Sequence, residues 1–165
     1  IEHFNAVIQK GKKNKIMIDD PLVISPGIAT GRLIGGNLSV LISMIGTPYE
    51  CDWSNHIIFI EEIGESTYRI DRMLTQLRSA KKFKGIKGIV LGHFTRCDAQ
   101  PGDPYYEFST SLSEVFKDRL GDLGIPVMGG GPFGHEEDNV TLPIGINATM
   151  DTEKGVLKLS ESAVS

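Results

Sequence analysis

Three groupings in this sequence have residue types and surroundings suited to chemistry. The first is Glu61-Glu62, which directly follows the apolar run Ile57-Ile58-Phe59-Ile60. A carboxylate at the end of a buried strand stands where open α/β sheets usually bind ligands. Side chains alternate across an extended chain, so only one of the two acids can face a given site. A salt bridge, or a charge near the helix that opens around Tyr68, explains the same pair without chemistry. The second is His135, in Gly129-Gly130-Gly131-Pro132-Phe133-Gly134-His135. A histidine on a glycine-rich loop after a core strand is suited to general base catalysis near neutrality. A plain surface-loop histidine has the same signature. The third is His93 with Cys97, after the strand ending at Leu91, which has the parts of a thiol nucleophile and its base. Residues so close on one loop rarely align for proton transfer. His3 and His56 have bland contexts.

A Ser-His-acid hydrolase also needs a serine forced outward on a tight turn, commonly in G-x-S-x-G. The sequence contains no such motif: Ser39 and Ser43 fall on a helix, and Ser66, Ser109 and Ser111 read as caps or loop residues. If Glu61 and His135 act together, their serine comes from elsewhere. Gly35-Gly36-Asn37 is expected to be a turn opening a helix, where backbone N–H groups could hold a substrate carboxylate. A purely structural strand-to-helix bend uses the same residues. No metal or other cofactor is expected, because His135-Glu136-Glu137-Asp138 lacks an i, i+4 histidine pair and two cysteines are too few for a thiolate site.

The elements that must position these residues follow from periodicity. Phe4, Val7 and Ile8 have helical spacing with Gly11 as a stop, and Lys15 to Ile18 and Leu22 to Ile24 read as short strands; residues 1–26 are thus a linker-side helix and strands. Gly27 to Ile34 reads as a strand ending at Gly35-Gly36, and Asn37 caps a helix carrying Leu38, Leu41, Ile42 and Ile45. The run Ile57 to Ile60 is typical of a strand buried on both faces. Tyr68 to Ala80 is a helix with Ile70, Met73, Leu74 and Leu77 as its inner stripe. Ile86 to Leu91 is a further buried strand, and Ser111 with Glu114 forms a capping box for a helix carrying Leu112, Val115, Phe116 and Leu120. Pro126 to Met128, Val140 to Leu142, Ile144 to Met150 and Val156 to Leu159 complete the strands, and 160–165 reads as a loose tail. Helices and strands alternate in the middle while both ends are strand-rich. That pattern gives an α/β domain with a mixed, partly curled sheet and flanking helices.

Composition bounds the partners. The 165 residues fit one domain, with 40% hydrophobic and 23% charged residues. A net charge of -4 argues against a nucleic-acid or acidic-membrane partner. Cys51 and Cys97 form no disulfide framework, and a reducing compartment is the simpler reading. No apolar run approaches the roughly 20 residues of a membrane span, and the first residues lack a signal-peptide layout, so a cytoplasmic location is expected. The start at Ile1, without Met, leads to the expectation of an upstream segment.

The flanks of the candidate residues carry more than the residues alone. Gly31-Arg32-Leu33-Ile34-Gly35-Gly36-Asn37-Leu38, Ile45-Gly46-Thr47-Pro48-Tyr49, Ile58-Phe59-Ile60-Glu61-Glu62, Tyr68-Arg69-Ile70-Asp71-Arg72-Met73-Leu74, Gly88-Ile89-Val90-Leu91-Gly92, Phe133-Gly134-His135 and Thr141-Leu142-Pro143-Ile144-Gly145 occur in this order over roughly residues 30 to 150. In that order they resemble the LD-carboxypeptidases (muramoyltetrapeptide carboxypeptidases), a serine peptidase family that includes the microcin C immunity hydrolases. The resemblance implies a two-domain enzyme. A flavodoxin-like N-terminal domain, absent here, would supply the serine and oxyanion hole. The 165 residues would be the swivelling β/β/α C-terminal domain, supplying Glu61 and His135 of a Ser-His-Glu triad; Glu62 stands where the family often has Asp.

The implied activity is hydrolysis of the L–D bond to terminal D-Ala in murein tetrapeptide during cytoplasmic peptidoglycan recycling. Without the N-terminal domain the chain is expected to be inactive, and its uncovered docking surface to allow self-association, for example as a homodimer. The alternatives are a microcin-type acyl-sulfamoyl-adenylate hydrolase with the same triad, a phosphocarrier domain using His135 or His93, and a non-catalytic binding or swivelling module. The acids Glu136, Glu137 and Asp138 would repel a phosphate on His135. A non-catalytic module predicts Glu61 and His135 far apart, whereas a triad predicts them on one face within hydrogen-bond reach.

Overall fold

The structure is a computed structural model and describes residues 14–102, 106–137 and 139–164. The helix expected over Phe4 to Ile8 lies outside the described residues. Eight strands form one mixed sheet: β1 (Lys15–Met17), β2 (Leu22–Ser25), β3 (Ile28–Asn37), β4 (His56–Ile63), β5 (Gly88–Thr95), β6 (Val127–Gly129), β7 (Asn147–Asp151) and β8 (Val156–Leu159). Their order is β1-β8-β7-β3-β4-β5-β6-β2. The four central strands β3, β4, β5 and β6 run parallel, and the flanking pairs are antiparallel. Helices α1 (Leu38–Ser43), α2 (Thr67–Ser79) and α3 (Leu112–Leu120) make the three crossovers between parallel neighbours.

The two faces of the sheet bury different cores. Ile58 and Ile60 of β4, with Ile89 and Leu91 of β5, pack beneath Leu38, Leu41, Ile70, Leu74, Leu77, Val115, Phe116 and Leu120 of the helices. The alternate residues Ile57 and Phe59 face a second core containing Val90, Met128, Phe133, Met150, Leu157 and Leu159, to which, among the described residues, no helix contributes. That second face is closed by curvature of the sheet itself. A flat eight-stranded sheet would hold its outermost strands about 34 Å apart, seven spacings of about 4.8 Å. Yet the outermost strands β1 and β2 are joined by only Ile18 to Pro21, and the five steps from Met17 to Leu22 reach at most about 18 Å. The sheet must therefore curl. Ile18, buried at 3% exposure, sits at the seam: its N–H donates to Gly155 O at 2.7 Å, and a methyl built on Gly130 would lie 3.4 Å from its Cγ2.

Three expectations need correction. Gly35 and Gly36 form no turn; they continue β3, paired with Phe59 and Ile60 of β4. The close approach explains the glycine, since a Cβ on Gly35 would lie 1.8 Å from Phe59 O. Val140 to Leu142 is not a strand: the Val140 N–H is taken by Pro132 O at 2.8 Å, within the loop that carries His135. The segment read as a loose tail is tied down at its start, where Ser160 N–H donates to Asn147 O at 2.8 Å and Glu161 accepts from Asn147 N–H at 2.6 Å.

Candidate active site

Glu61 and Glu62 part at the end of β4. Glu61 continues the face of Ile57 and Phe59, and Glu62 that of Ile58 and Ile60, as strand alternation requires. Glu62 is buried on the helix side. It accepts from Asn37 Nδ2 at 2.7 Å, Ser39 N–H at 2.8 Å, Ser39 Oγ at 2.6 Å and Ile63 N–H at 2.9 Å. Burial works to raise its pKa, but the hydrogen bonds from Ser39, Ile63 and Asn37 outweigh burial and hold the carboxyl below the ordinary range. Glu62 therefore fastens the end of β4 to the β3–α1 junction and offers no free oxygen to a ligand.

Glu61 faces the other way and meets His135. Its Oε2 lies 2.7 Å from His135 Nδ1, with the carboxylate side chain about 10% exposed and the imidazole about 50% exposed. Several contacts hold the His135 loop in this place. The His93 N–H donates to Phe133 O at 2.8 Å, and the Gly131 N–H to Leu91 O at 2.9 Å. The buried Phe133 ring meets Phe59 edge-on at 5.7 Å between centroids. On either side of His135, Asn139 Nδ2 donates to Gly134 O at 2.7 Å and Thr95 Oγ1 donates to Glu136 Oε1 at 2.7 Å. Gly134 itself has φ +127°, a conformation that L side chains avoid.

The arrangement has a definite chemical capacity. A neutral imidazole donating its Nδ1 proton to Glu61 has its Nε2 lone pair available as a base. Among the described residues, no hydrogen bond to His135 Nε2 occurs, and no serine hydrogen-bonds the ring. A depression of about 410 Å³ adjoins the pair, lined by Gly36, Phe59, Phe133, Asn139, Val140 and Leu142. A larger hollow of about 570 Å³ lies between the starts of α2 and α3, with Tyr68, Arg96, Asp98 and Phe108 in its wall, but contains neither Glu61 nor His135. Glu61 and His135 line the smaller one.

The other sequence candidates are dispersed. Of Gly35, Gly36 and Asn37, only Gly36 lines the depression; the Asn37 side chain is turned to the helix face, accepting from Val40 N–H at 3.2 Å and donating to Glu62. Cys97 is buried, its Sγ donates to Thr95 O at 3.4 Å, and burial pushes its thiol pKa up, so it is no activated nucleophile. No hydrogen bond joins it to His93. Among the described residues no group of three or more His, Cys, Asp or Glu side chains could hold a metal, and no helix is long and apolar enough to cross a membrane. Sequence reasoning missed the wall residues Asn139, Val140 and Leu142. The apolar pair had suggested a strand, and only their contacts with the His135 loop reveal the role.

Known proteins resemble the chain over most of its length. The family model for the LD-carboxypeptidase C-terminal domain matches residues 30–150. A protein of Synechocystis sp. that bears a carboxypeptidase name is 47% identical over 131 residues, which are 79% of this chain and 42% of that protein. The crystal structure of muramoyltetrapeptide carboxypeptidase from Oxalobacter formigenes superposes with a TM-score of 0.82 at 34% identity, covering 98% of this chain and 54% of that one. The microcin C7 self-immunity protein MccF in complex with glutamyl sulfamoyl guanosine superposes with a TM-score of 0.70 at 26% identity, covering 89% of this chain and 42% of that one. The chain thus spans about half the length of the relatives it matches.

Proposed function

Because the chain belongs to the LD-carboxypeptidase C-terminal domain family, we propose that it supplies the acid and base of a Ser-His-Glu triad, Glu61 and His135, to a carboxypeptidase acting on murein tetrapeptide. The observation that carries this reading is the 2.7 Å contact between His135 Nδ1 and the buried Glu61 Oε2, with the rest of the imidazole exposed. The serine and oxyanion hole come from a further, N-terminal part of the enzyme, which accords with the relatives' greater length.

In the assembled site His135 Nε2 takes the proton from the serine Oγ as that oxygen adds to the scissile carbonyl. The resulting imidazolium is stabilised by Glu61, which also fixes the tautomer that leaves Nε2 basic. Collapse of the tetrahedral intermediate expels the amine of terminal D-Ala, which receives the proton from His135, and water then repeats the cycle on the acyl-enzyme. The depression beside the pair, with Phe59, Phe133 and Leu142 as apolar wall and Asn139 as polar edge, is where the substrate lies against this chain. The setting is cytoplasmic murein recycling.

The test is an assay of LD-tetrapeptide hydrolysis by the chain alone and by the chain joined to an N-terminal half of the family. The joined protein is expected to release D-Ala and the chain alone to show no turnover. D-Ala release by the pure chain would overturn the division of labour proposed here. A second reading, hydrolysis of an acyl-sulfamoyl-adenylate of microcin type by the same triad, is favoured by the superposition on the microcin immunity protein, but that match is weaker than the muramoyltetrapeptide carboxypeptidase match. Offering both substrates to the joined protein separates the two.

A further inference from the structure

One buried polar atom next to the site is unexplained by anything above. Among the described residues, His93 Nε2 is the buried side-chain nitrogen or oxygen that has no hydrogen-bond partner. Leaving such an atom unsatisfied is costly, so its persistence in a fold calls for a reason. Its place in the sheet supplies one. β4 and β5 pair in register up to Ile60↔Leu91 and resume at Glu62↔Phe94, so two residues of β5, Gly92 and His93, stand opposite the single residue Glu61. This is a β-bulge, a device that re-aims side chains beside functional sites.

The bulge changes the face His93 occupies. Leu91 and Phe94 both pack with the helix-side core, which regular alternation over three residues would forbid. His93 is thereby turned to the face of Glu61. A Cβ built on Gly134 would meet His93 Cβ at 3.3 Å, Glu61 Cβ at 3.3 Å and Glu61 Oε2 at 3.2 Å, so His93 and Glu61 flank the same point of the His135 loop. Among the described residues Glu61 meanwhile makes one hydrogen bond, through Oε2, and none through Oε1.

We propose that His93 is a positioning residue for the Glu61–His135 pair, its Nε2–H giving the Glu61 carboxylate a second hydrogen bond through one ordered water. The proposal rests on the triad reading above. A carboxylate held at both oxygens cannot swing about its last bond, and the imidazole it orients is then fixed in the plane needed for proton transfer. His93 touches neither substrate nor serine in this scheme and acts only through Glu61.

The test reads the hydrogen bond rather than the reaction. In the 15N-labelled chain the Nδ1 proton of His135 bonded to Glu61 gives a far-downfield NMR signal. His93→Leu, which keeps bulk but has no donor, is expected to broaden that signal beyond detection while the backbone amide spectrum stays native. His93→Gln, whose side-chain amide restores a donor, is expected to keep it. An undiminished signal in folded His93→Leu, or its loss in both variants alike, overturns the proposal. Glu61→Gln serves as the control: if it leaves the signal in place, the Glu61–His135 pair itself is absent and the triad reading fails with it, whereas loss in Glu61→Gln and retention in His93→Leu sinks only the role of His93.

Discussion

Gly134 leaves no easy room for a side chain between Glu61 and His93: a methyl group on it would stand 3.2 Å from Glu61 Oε2, 3.3 Å from Glu61 Cβ and 3.3 Å from His93 Cβ. The residue before His135 therefore sets the depth to which the carboxylate can lie under the loop. Gly134→Ala combines that crowding with the cost of a side chain at φ +127°. The expected outcome is displacement of His135 from Glu61 and a fall in kcat of about 100-fold in the joined enzyme, since misplacement by about 1 Å has effects of that order. Steady-state kinetics on the folded variant checks it.

The two adjacent acids should fail in opposite ways. Glu61→Gln removes the anion behind His135 and is expected to lower kcat by about 10⁴-fold with little change in stability. Glu62→Gln removes one acceptor oxygen from a buried network of four hydrogen bonds. It should cost about 1–3 kcal/mol of stability and reduce kcat far less. Chemical denaturation beside kinetics on both variants distinguishes the roles, and a large stability loss in Glu61→Gln would contradict the assignment.

Glu62 also fixes a pH dependence. Its folded-state pKa is held below the unfolded value by the hydrogen bonds of Ser39, Ile63 and Asn37 acting against burial. A depressed carboxyl contributes stability that is fully present above the unfolded pKa, about 4.3 for Glu, and lost as pH falls through the folded pKa. Urea midpoints measured from pH 7 down into the acid range should fall steeply below about pH 4 in the parent chain and less steeply in Glu62→Gln. Parallel curves would exclude Glu62 as a contributor.

The thiols should behave as a contrasting pair. Cys51 is exposed, whereas Cys97 is buried with its pKa raised, chiefly by desolvation. A disulfide reagent applied to the native chain at neutral pH is expected to modify Cys51 quickly and Cys97 only when the protein unfolds. Rapid reaction of both would contradict the packing around β5.

Much of this fold could be read from residue order. The buried strand at Ile57 to Ile60, the stripe of α2 and the Ser111–Glu114 capping box are local patterns, and the structure reproduces each, the last with both reciprocal bonds. The separation of Glu61 from Glu62 also follows from alternation alone. What could not be read was set by distant chain. Gly35-Gly36 looks like a bend because glycine permits one, but its need comes from the carbonyl of Phe59, on the next strand. Val140 to Leu142 has strand composition, yet its N–H is claimed by Pro132. The bulge that turns His93 leaves no mark in β5, since it exists only in the register against β4.

The curled sheet has a consequence in time as well as in space. Among the described residues β1 finds its partner only in β8, with Lys15 opposite Lys158, and β2 only in β6, with Leu22 opposite Gly129. β1 and β2 thus wait for strands made much later in the chain, and meanwhile offer bare edges to other chains. Pairings of such long sequence separation are slow to form. The Ile18–Pro21 link that draws the two edges together is therefore expected to be the last part of the sheet to lock, long after the helix-covered strands that carry Glu61 have settled.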